Sequence, residues 1–285
     1  MKVRRTIFSL ASVLALLVPV HGFAATAAAT ATLESFSIQL TDLDPLDGIA
    51  PSIRFIGLFG RAPATRFSTE TVLYSDSGVL EDRQARQFWG NGFLSPGDAN
   101  AALGSLAANA SATDSTMRAS VTVIHDANPA DPFDSASARA WVLPLVLSNS
   151  FELGPNTLVT FEGTYQLRAS VMNFGEQGRS PDLALANFDY SGWLEHPDDM
   201  QSFEGGASAS ASASNHPWAI PVDAFAGSFS VALANNTASA LTGYLSMSLE
   251  SFAYVSSAAP IPEPSTWALM LAGLGGLAVA RRFRG

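Results

Sequence analysis

The chain has 285 residues with 15 basic and 25 acidic side chains, a formal charge of −10, no cysteine and a single lysine, Lys2. Without thiols there is no disulfide, no thiolate nucleophile and no Cys-ligated zinc; without a lysine beyond position 2 there is no Schiff-base amine, Ser-Lys dyad or Walker-type phosphate loop. Three of the bases lie at each end, which leaves nine against the 25 acids between them, a balance of −16 that disfavours nucleic acid as a partner. Acidic polysaccharide is repelled as well unless cations bridge it.

The chain opens on Lys2, Arg4 and Arg5, then an apolar stretch from Ile7 to Val20, then small residues. This order is that of a secretory signal peptide over residues 1–24. Gly22-Phe23-Ala24 satisfies the small-x-small rule, so cleavage is expected after Ala24, with Ala25-Thr26-Ala27 as a second frame. Arg4-Arg5 lacks the rest of a twin-arginine pattern, which favours general secretion.

Residues 25–256 read as one all-β ectodomain, an antiparallel β-sandwich or jelly-roll-like domain. Segments around Leu33–Leu40, Ile53–Phe59, Thr116–His125 and Ala138–Leu147 mix apolar and β-branched residues between Asp, Pro, Asn and Gly clusters. From Thr157 to Val171 the odd positions are apolar or small (Val159, Phe161, Gly163, Tyr165, Leu167, Ala169, Val171) and the even ones polar, the period of a half-buried strand. The same alternation runs through Phe225–Leu233 and again from Leu241 to Val255, and the Ala234–Ser239 turn between them predicts a hairpin. Gly205–Ser214, with alanine on one side and serine on the other, is read as a strand over a flexible linker. Glu81–Arg86 and Asp98–Ala108 are read as short helices at a sheet edge.

Candidate chemistry is sparse. Asp42, Asp44 and Asp47 place three carboxylates before Gly48, the front of a calcium loop, but the third Asp falls at loop position six and Ile53 at twelve, where an EF-hand needs glycine and glutamate. An Asp-Pro and Asp-Gly turn is the plainer reading, with calcium as the candidate ligand if any is held. Asp126, Asn128, Asp131 and Asp134 form a second acidic group with the same standing. His125, His196 and His216 have no ligand spacing, and Glu195-His196-Pro197-Asp198-Asp199 is a polar patch suited to a cation or a sugar. Trp89, Trp141, Trp193 and Trp218 stack on sugar rings if exposed and pack in the core otherwise. Asn109-Ala110-Ser111 and Asn235-Asn236-Thr237 fit the N-glycosylation pattern. No catalytic residue is expected.

The C-terminal segment is the most specific. Pro262-Glu263-Pro264 precedes an apolar run of fourteen residues from Trp267 to Ala280, and Arg281, Arg282 and Arg284 close it. Prolines flanking Glu263 hold the chain extended, in the form a protease cleft grips. As a helix the run spans about 21 Å against a hydrocarbon core of about 30 Å, a short anchor, and its arginines hold that end in the cytoplasm. Ala272 and Gly276 form a small-xxx-small pair. These features together resemble the PEP-CTERM sorting tail over residues 260–285, with Ile261 where valine is common. The resemblance implies a Gram-negative exopolysaccharide producer and recognition of Pro262, Glu263 and Pro264 by exosortase, a membrane cysteine protease. It further implies a transmembrane helix at about 266–280, a basic end at 281–284, and a body exported to the periplasm, held at the inner membrane and then passed to the surface or extracellular matrix.

The expected role is therefore that of an exported, non-enzymatic surface or matrix protein associated with exopolysaccharide or biofilm, without a cofactor. The alternatives are a carbohydrate-binding or calcium-dependent adhesion module and a secreted glycoside hydrolase using paired carboxylates.

Overall fold

The computed structural model describes residues 24–56, 64–75, 80–91, 96–126, 133–144, 150–172, 182–196, 199–215 and 218–256. The signal peptide and the sorting tail read from the sequence lie outside them, apart from Ala24. Among the described residues there are fourteen strands and no helix. In chain order they are β1 (Ala24–Asp42), β2 (Ile53–Ile56), β3 (Ala64–Ser75), β4 (Leu80–Asn91), β5 (Gly97–Leu103), β6 (Leu106–Ala112) and β7 (Met117–Asp126). These are followed by β8 (Phe133–Pro144), β9 (Ser150–Leu153), β10 (Thr157–Met172), β11 (Leu183–His196), β12 (Asp199–Ser214), β13 (Val222–Asn235) and β14 (Leu241–Ser256).

Every strand pairing described is antiparallel. One sheet has the order β13-β10-β1-β7-β6-β5, the other β12-β11-β14-β8-β3-β4, with β2 and β9 joined to the first half of β14. The two sheets share one hydrophobic core in the manner of a sandwich. The alternation decides which side chains enter it. In β10 each odd residue from Thr157 to Val171 is buried, and in β14 the same parity holds over the whole strand.

β1 keeps its apolar side inward only by breaking its own register. Ala25, Ala27, Ala29, Ala31 and Leu33 are buried, but Glu34 is an extra residue between the pairs Leu33↔Tyr165 and Ser35↔Thr164. This β-bulge shifts the inward parity, so Phe36 and Ile38 pack against the core while Ser35 and Ser37 face out. The alternating stretch Gly205–Ser214 is a strand as expected, with Ala211 and Ala213 buried in β12.

Two expectations fail. Residues 81–86 and 98–108 are not helical. Glu81–Arg86 belongs to β4, which pairs along β3, and its long polar residues suit an exposed edge where Arg83 meets Glu70 at 2.5 Å. Asp98–Ala108 forms the hairpin β5–β6, closed by Gly104-Ser105 with Gly104 at φ 58°, the first central position that a type II′ turn gives to glycine. Ala99, Ala101, Ala108 and Ala110 reach the core from it, so burial overrides alanine's preference for helix.

The second failure concerns β13 and β14, which do not pair. β13 hydrogen-bonds β10 in one sheet and β14 hydrogen-bonds β11, β8 and β9 in the other, so residues 236–240 cross between layers. Asn235 holds that crossing. Fully buried, its Nδ2 donates to the carbonyls of Leu153, Gly154 and Ser239 at 3.0, 2.9 and 2.8 Å, and its Oδ1 accepts from the Thr237 N–H and hydroxyl at 2.9 and 2.7 Å. A plain hairpin turn makes no such demand on a side chain.

The core is graded across the sandwich. Below β10 and β13 it is aromatic: Tyr165 and Phe188 lie 4.6 Å apart, Phe188 and Phe229 5.3 Å, Phe151 and Phe161 5.6 Å. Below β5, β6 and β7 it is richer in alanine and valine, with Ala136, Ala138, Ala140 and Val142 on β8, and its larger buried side chains include Phe67, Leu106 and Met117. The buried hydroxyls of Thr69 and Thr71 on β3 make no hydrogen bond there and serve as small packing groups.

Asn235→Ala should lower the unfolding free energy by about 2 kcal/mol or more, because buried carbonyls lose their donor. Asn235→Asp, of equal size but with an acceptor facing those carbonyls, should cost at least as much. Urea denaturation of the two variants measures both.

Candidate functional site

A chain of hydrogen bonds defines one end of the sandwich. Ser256, the last residue of β14, donates its N–H to Asp182 Oδ1 at 2.9 Å. Asp182 is fully buried; its N–H donates to Asn215 Oδ1 at 2.9 Å and its Oδ2 accepts from Asn215 Nδ2 at 3.0 Å. The neighbouring Ser214 N–H reaches the Ile220 carbonyl at 3.2 Å, and Val171 N–H reaches the Pro221 carbonyl at 2.8 Å. On β10 the next residue, Met172, stands opposite Thr26, which in turn stands opposite Ile124. The beginning of β1 and the end of β14 therefore meet at the same end, called here the exit end. Nothing in the local sequence around Asp182 or Asn215 marks them for this role; each acquires it only when strands distant in sequence converge.

Ala24 pairs with Asp126 at the start of β1, and Ala25 and Ala27 are already buried. Cleavage in the second frame, after Ala27, removes two further core residues, Ala25 and Ala27, with three ladder pairs to β7 and two to β10. Pro262, Glu263, Pro264, Arg281, Arg282 and Arg284 lie outside the described residues.

At the opposite end, the loop after β1 holds Asp42, Asp44 and Asp47. Their carboxylates cap their own backbone: Asp42 Oδ1 accepts from the Asp44 N–H at 3.0 Å, Asp44 Oδ1 from the Leu46 N–H at 3.3 Å, and Asp47 Oδ1 from the Ile49 N–H at 2.6 Å. Asn156 donates to Asp47 Oδ2 at 2.8 Å, and this bond with that of Ile49 holds the Asp47 carboxyl below its ordinary range. Such bonds are those of Asx turns. Among the described residues no group of three or more His, Asp or Glu could hold a metal ion. Of the second acidic group, Asn128 and Asp131 lie outside the described residues, as do the side chains of Asp126 and Asp134.

The tryptophans separate. Trp218 is 91% exposed at the exit end. Trp141 is half-buried on β8 beneath the Arg139 guanidinium, 4.7 Å from the ring, and Arg139 pairs with Glu250 at 2.5 Å. Trp193 stacks on Tyr244 with 5.1 Å between centroids, and the Tyr244 hydroxyl donates to Glu195 Oε1 at 2.8 Å. His125 and His196 are in β7 and β11 and Trp89 in β4, with side chains outside the description, and His216 is outside it altogether.

The glycosylation patterns also part. The amide hydrogens of Asn235 are engaged at the crossing between layers, whereas Asn109 is exposed on β6 and donates to Asn100. Across the outer face of β1, β10 and β13 runs a shallow depression of about 420 Å³ lined by Ser35, Ser37, Glu162, Thr164, Ser228 and Ser230. Gln39 donates to Glu162 there at 3.1 Å, and Ser35 shares a 2.8 Å hydrogen bond with Thr164.

Beyond Ser256 only three residues separate the folded body from residue 260. Residues 260–284 match the PEP-CTERM protein-sorting motif. The C-terminal segment is a PEP-CTERM tail. Such a tail implies an exported protein whose sorting is associated with the membrane and carried out by exosortase. The match covers the tail alone, and no curated protein matches the chain.

Hydrogen bonding to Glu195, then burial, raises the Tyr244 phenol above its ordinary value of 10.0. Because the folded value exceeds the unfolded one, the stabilisation is complete below about pH 10 and is lost as pH rises through the folded value. In an ultraviolet absorbance titration Tyr244 should ionise late together with Tyr165, which burial raises as well, and Tyr244→Phe should reduce the late component by one phenol.

Proposed function

We propose that this chain is a non-enzymatic surface or extracellular-matrix protein: an acidic β body exported through the signal peptide, held at the inner membrane by the helix at about 266–280, and handed on after recognition of Pro262-Glu263-Pro264. The observation that carries this reading is the sorting motif at residues 260–284, starting directly after the last strand of the body. Six residues from Ser256 to Pro262 extend at most about 20 Å, enough to clear the folded surface while leaving the prolines open to a protease. Retention among exopolysaccharide or biofilm components fits a body in which Glu70, Glu152 and Glu250 are paired with Arg83, Arg54 and Arg139.

Changing Pro262 and Pro264 to alanine in the native host should cause an uncleaved membrane-bound form to accumulate, read by fractionation and C-terminal sequencing. Unchanged processing would sink the sorting role of these residues.

A second reading, a carbohydrate-binding module, is favoured by one arrangement: the stacked Trp193 and Tyr244 beside the Glu195 carboxylate. An aromatic face next to a hydrogen-bond acceptor is the chemistry that holds a sugar ring. If it holds, binding on a glycan array is lost in Trp193→Ala and survives EDTA, whereas loss with EDTA transfers the role to a bound cation.

A further inference from the structure

The exit end carries a concentration of exposed apolar side chains. Trp218 is 91% exposed, Ile220 63%, Met172 58% and Val222 46%, and Ile124 joins them across the β10–β1–β7 ladder. They form one rim: the Pro221 carbonyl between Ile220 and Val222 is bonded to Val171, the neighbour of Met172, and the Ile220 carbonyl is bonded to Ser214. The same end holds Ser256, fixed by Asp182. Soluble surfaces seldom group large apolar side chains without a partner.

We propose that this rim rests on the lipid surface while the tail is inserted, with Trp218 and Ile220 in the interfacial layer. The proposal rests on the membrane-held intermediate described above. The length of the tether carries it. Ser256 and Trp267 are eleven residues apart, at most about 40 Å when fully extended, so the body cannot leave the neighbourhood of the bilayer while the helix is in it. Because the tether leaves the exit end, that end is the one turned to the lipid. Tryptophan and branched aliphatic side chains are those that partition into the interfacial layer. An acidic body gains nothing from anionic headgroups, so the contact is apolar and does not require them. The far end exposes apolar side chains as well, Leu46 at 96% with Leu40, Leu43 and Ile49 beside it, so the tether and not apolar exposure alone selects the exit end.

The absence of cysteine makes a direct test clean. The full chain, made in a host without the sorting protease, is prepared with single substitutions Ile220→Cys, Leu46→Cys or Leu274→Cys, labelled with an environment-sensitive fluorophore and reconstituted in phosphatidylcholine vesicles. The labels at 274 and 220 should lose most of their emission to a nitroxide carried on the lipid, and the label at 46 should keep its emission and respond to aqueous iodide instead. If 274 is quenched by lipid while 220 behaves like 46, the rim contact is wrong and the anchored intermediate stands. If 274 is not quenched, both are wrong. A label at 220 shielded from both quenchers, and released on dilution with unlabelled chain, assigns the rim to a second copy and overturns the lipid contact.

Discussion

The Asn235 side chain settles how this fold is connected. The two hydrogens of its amide nitrogen are shared among three carbonyls on two separate segments and its oxygen accepts twice from Thr237, so it replaces at one point the backbone bonds that a buried crossing between layers leaves open. With the crossing fixed, β14 is released from β13 and becomes the central strand of the opposite sheet, paired on both sides. Its direction then follows, and so does the position of Ser256. Where the tail leaves the body is thus a consequence of one buried amide twenty-one residues upstream.

The same crossing makes the core possible without disulfides. Both β13 and β14 alternate with odd residues inward, and placing them in different sheets lets Phe229 of β13 pack on Phe188 and Tyr190 of β11, at 5.3 and 4.7 Å between centroids, instead of beside β14. Aromatic packing fills one flank. On the other, small alanine side chains are interspersed with a few larger ones, Phe67, Leu106 and Met117, all buried. Gly163 shows the tightness of the aromatic flank: a Cβ placed there meets both the Ser35 carbonyl and the Phe229 ring at 2.5 Å.

What could be read from the sequence follows from the range of the interactions involved. The strand period of β10, β13 and β14 is local and visible, as is the alternation of β12. The tail is a contiguous motif and was legible in full as a pattern. The hairpin expectation for β13 and β14 failed because the Ala234–Ser239 segment looks like any polar turn until the Asn235 partners, eighty residues earlier at Leu153 and Gly154, are brought to it. The helices expected at 81–86 and 98–108 failed because Glu, Arg, Gln and Ala favour helix locally, and only pairing with β3 and β7 reverses that preference. Asp182, Asn215 and the exposed rim around Trp218 carry no local signature, since their meaning is a meeting of distant strands. Glu34 is intermediate: a bulge is readable as a change of apolar parity between Leu33 and Phe36, once the long strand is accepted.

The described body is thus polarised along its strands. Both junctions with the sequence-read targeting segments fall at the exit end, where the buried Asp182 couples the end of β14 to the β12–β13 connection through bonds that any pull on the tail must break. A polar group so deeply placed costs desolvation, which its amide, N–H and hydroxyl partners offset. An apolar staple of equal volume would be as stable, but indifferent to direction. The carboxylate instead ties the backbone of Ser256 to a fixed point and keeps the first residues of the tail from peeling β14 off the sheet. If the exit end rests on the lipid as proposed, the far end, with the Asp42–Asp47 loop and the Trp193–Tyr244 pair, faces away from it, and a ligand is best sought there.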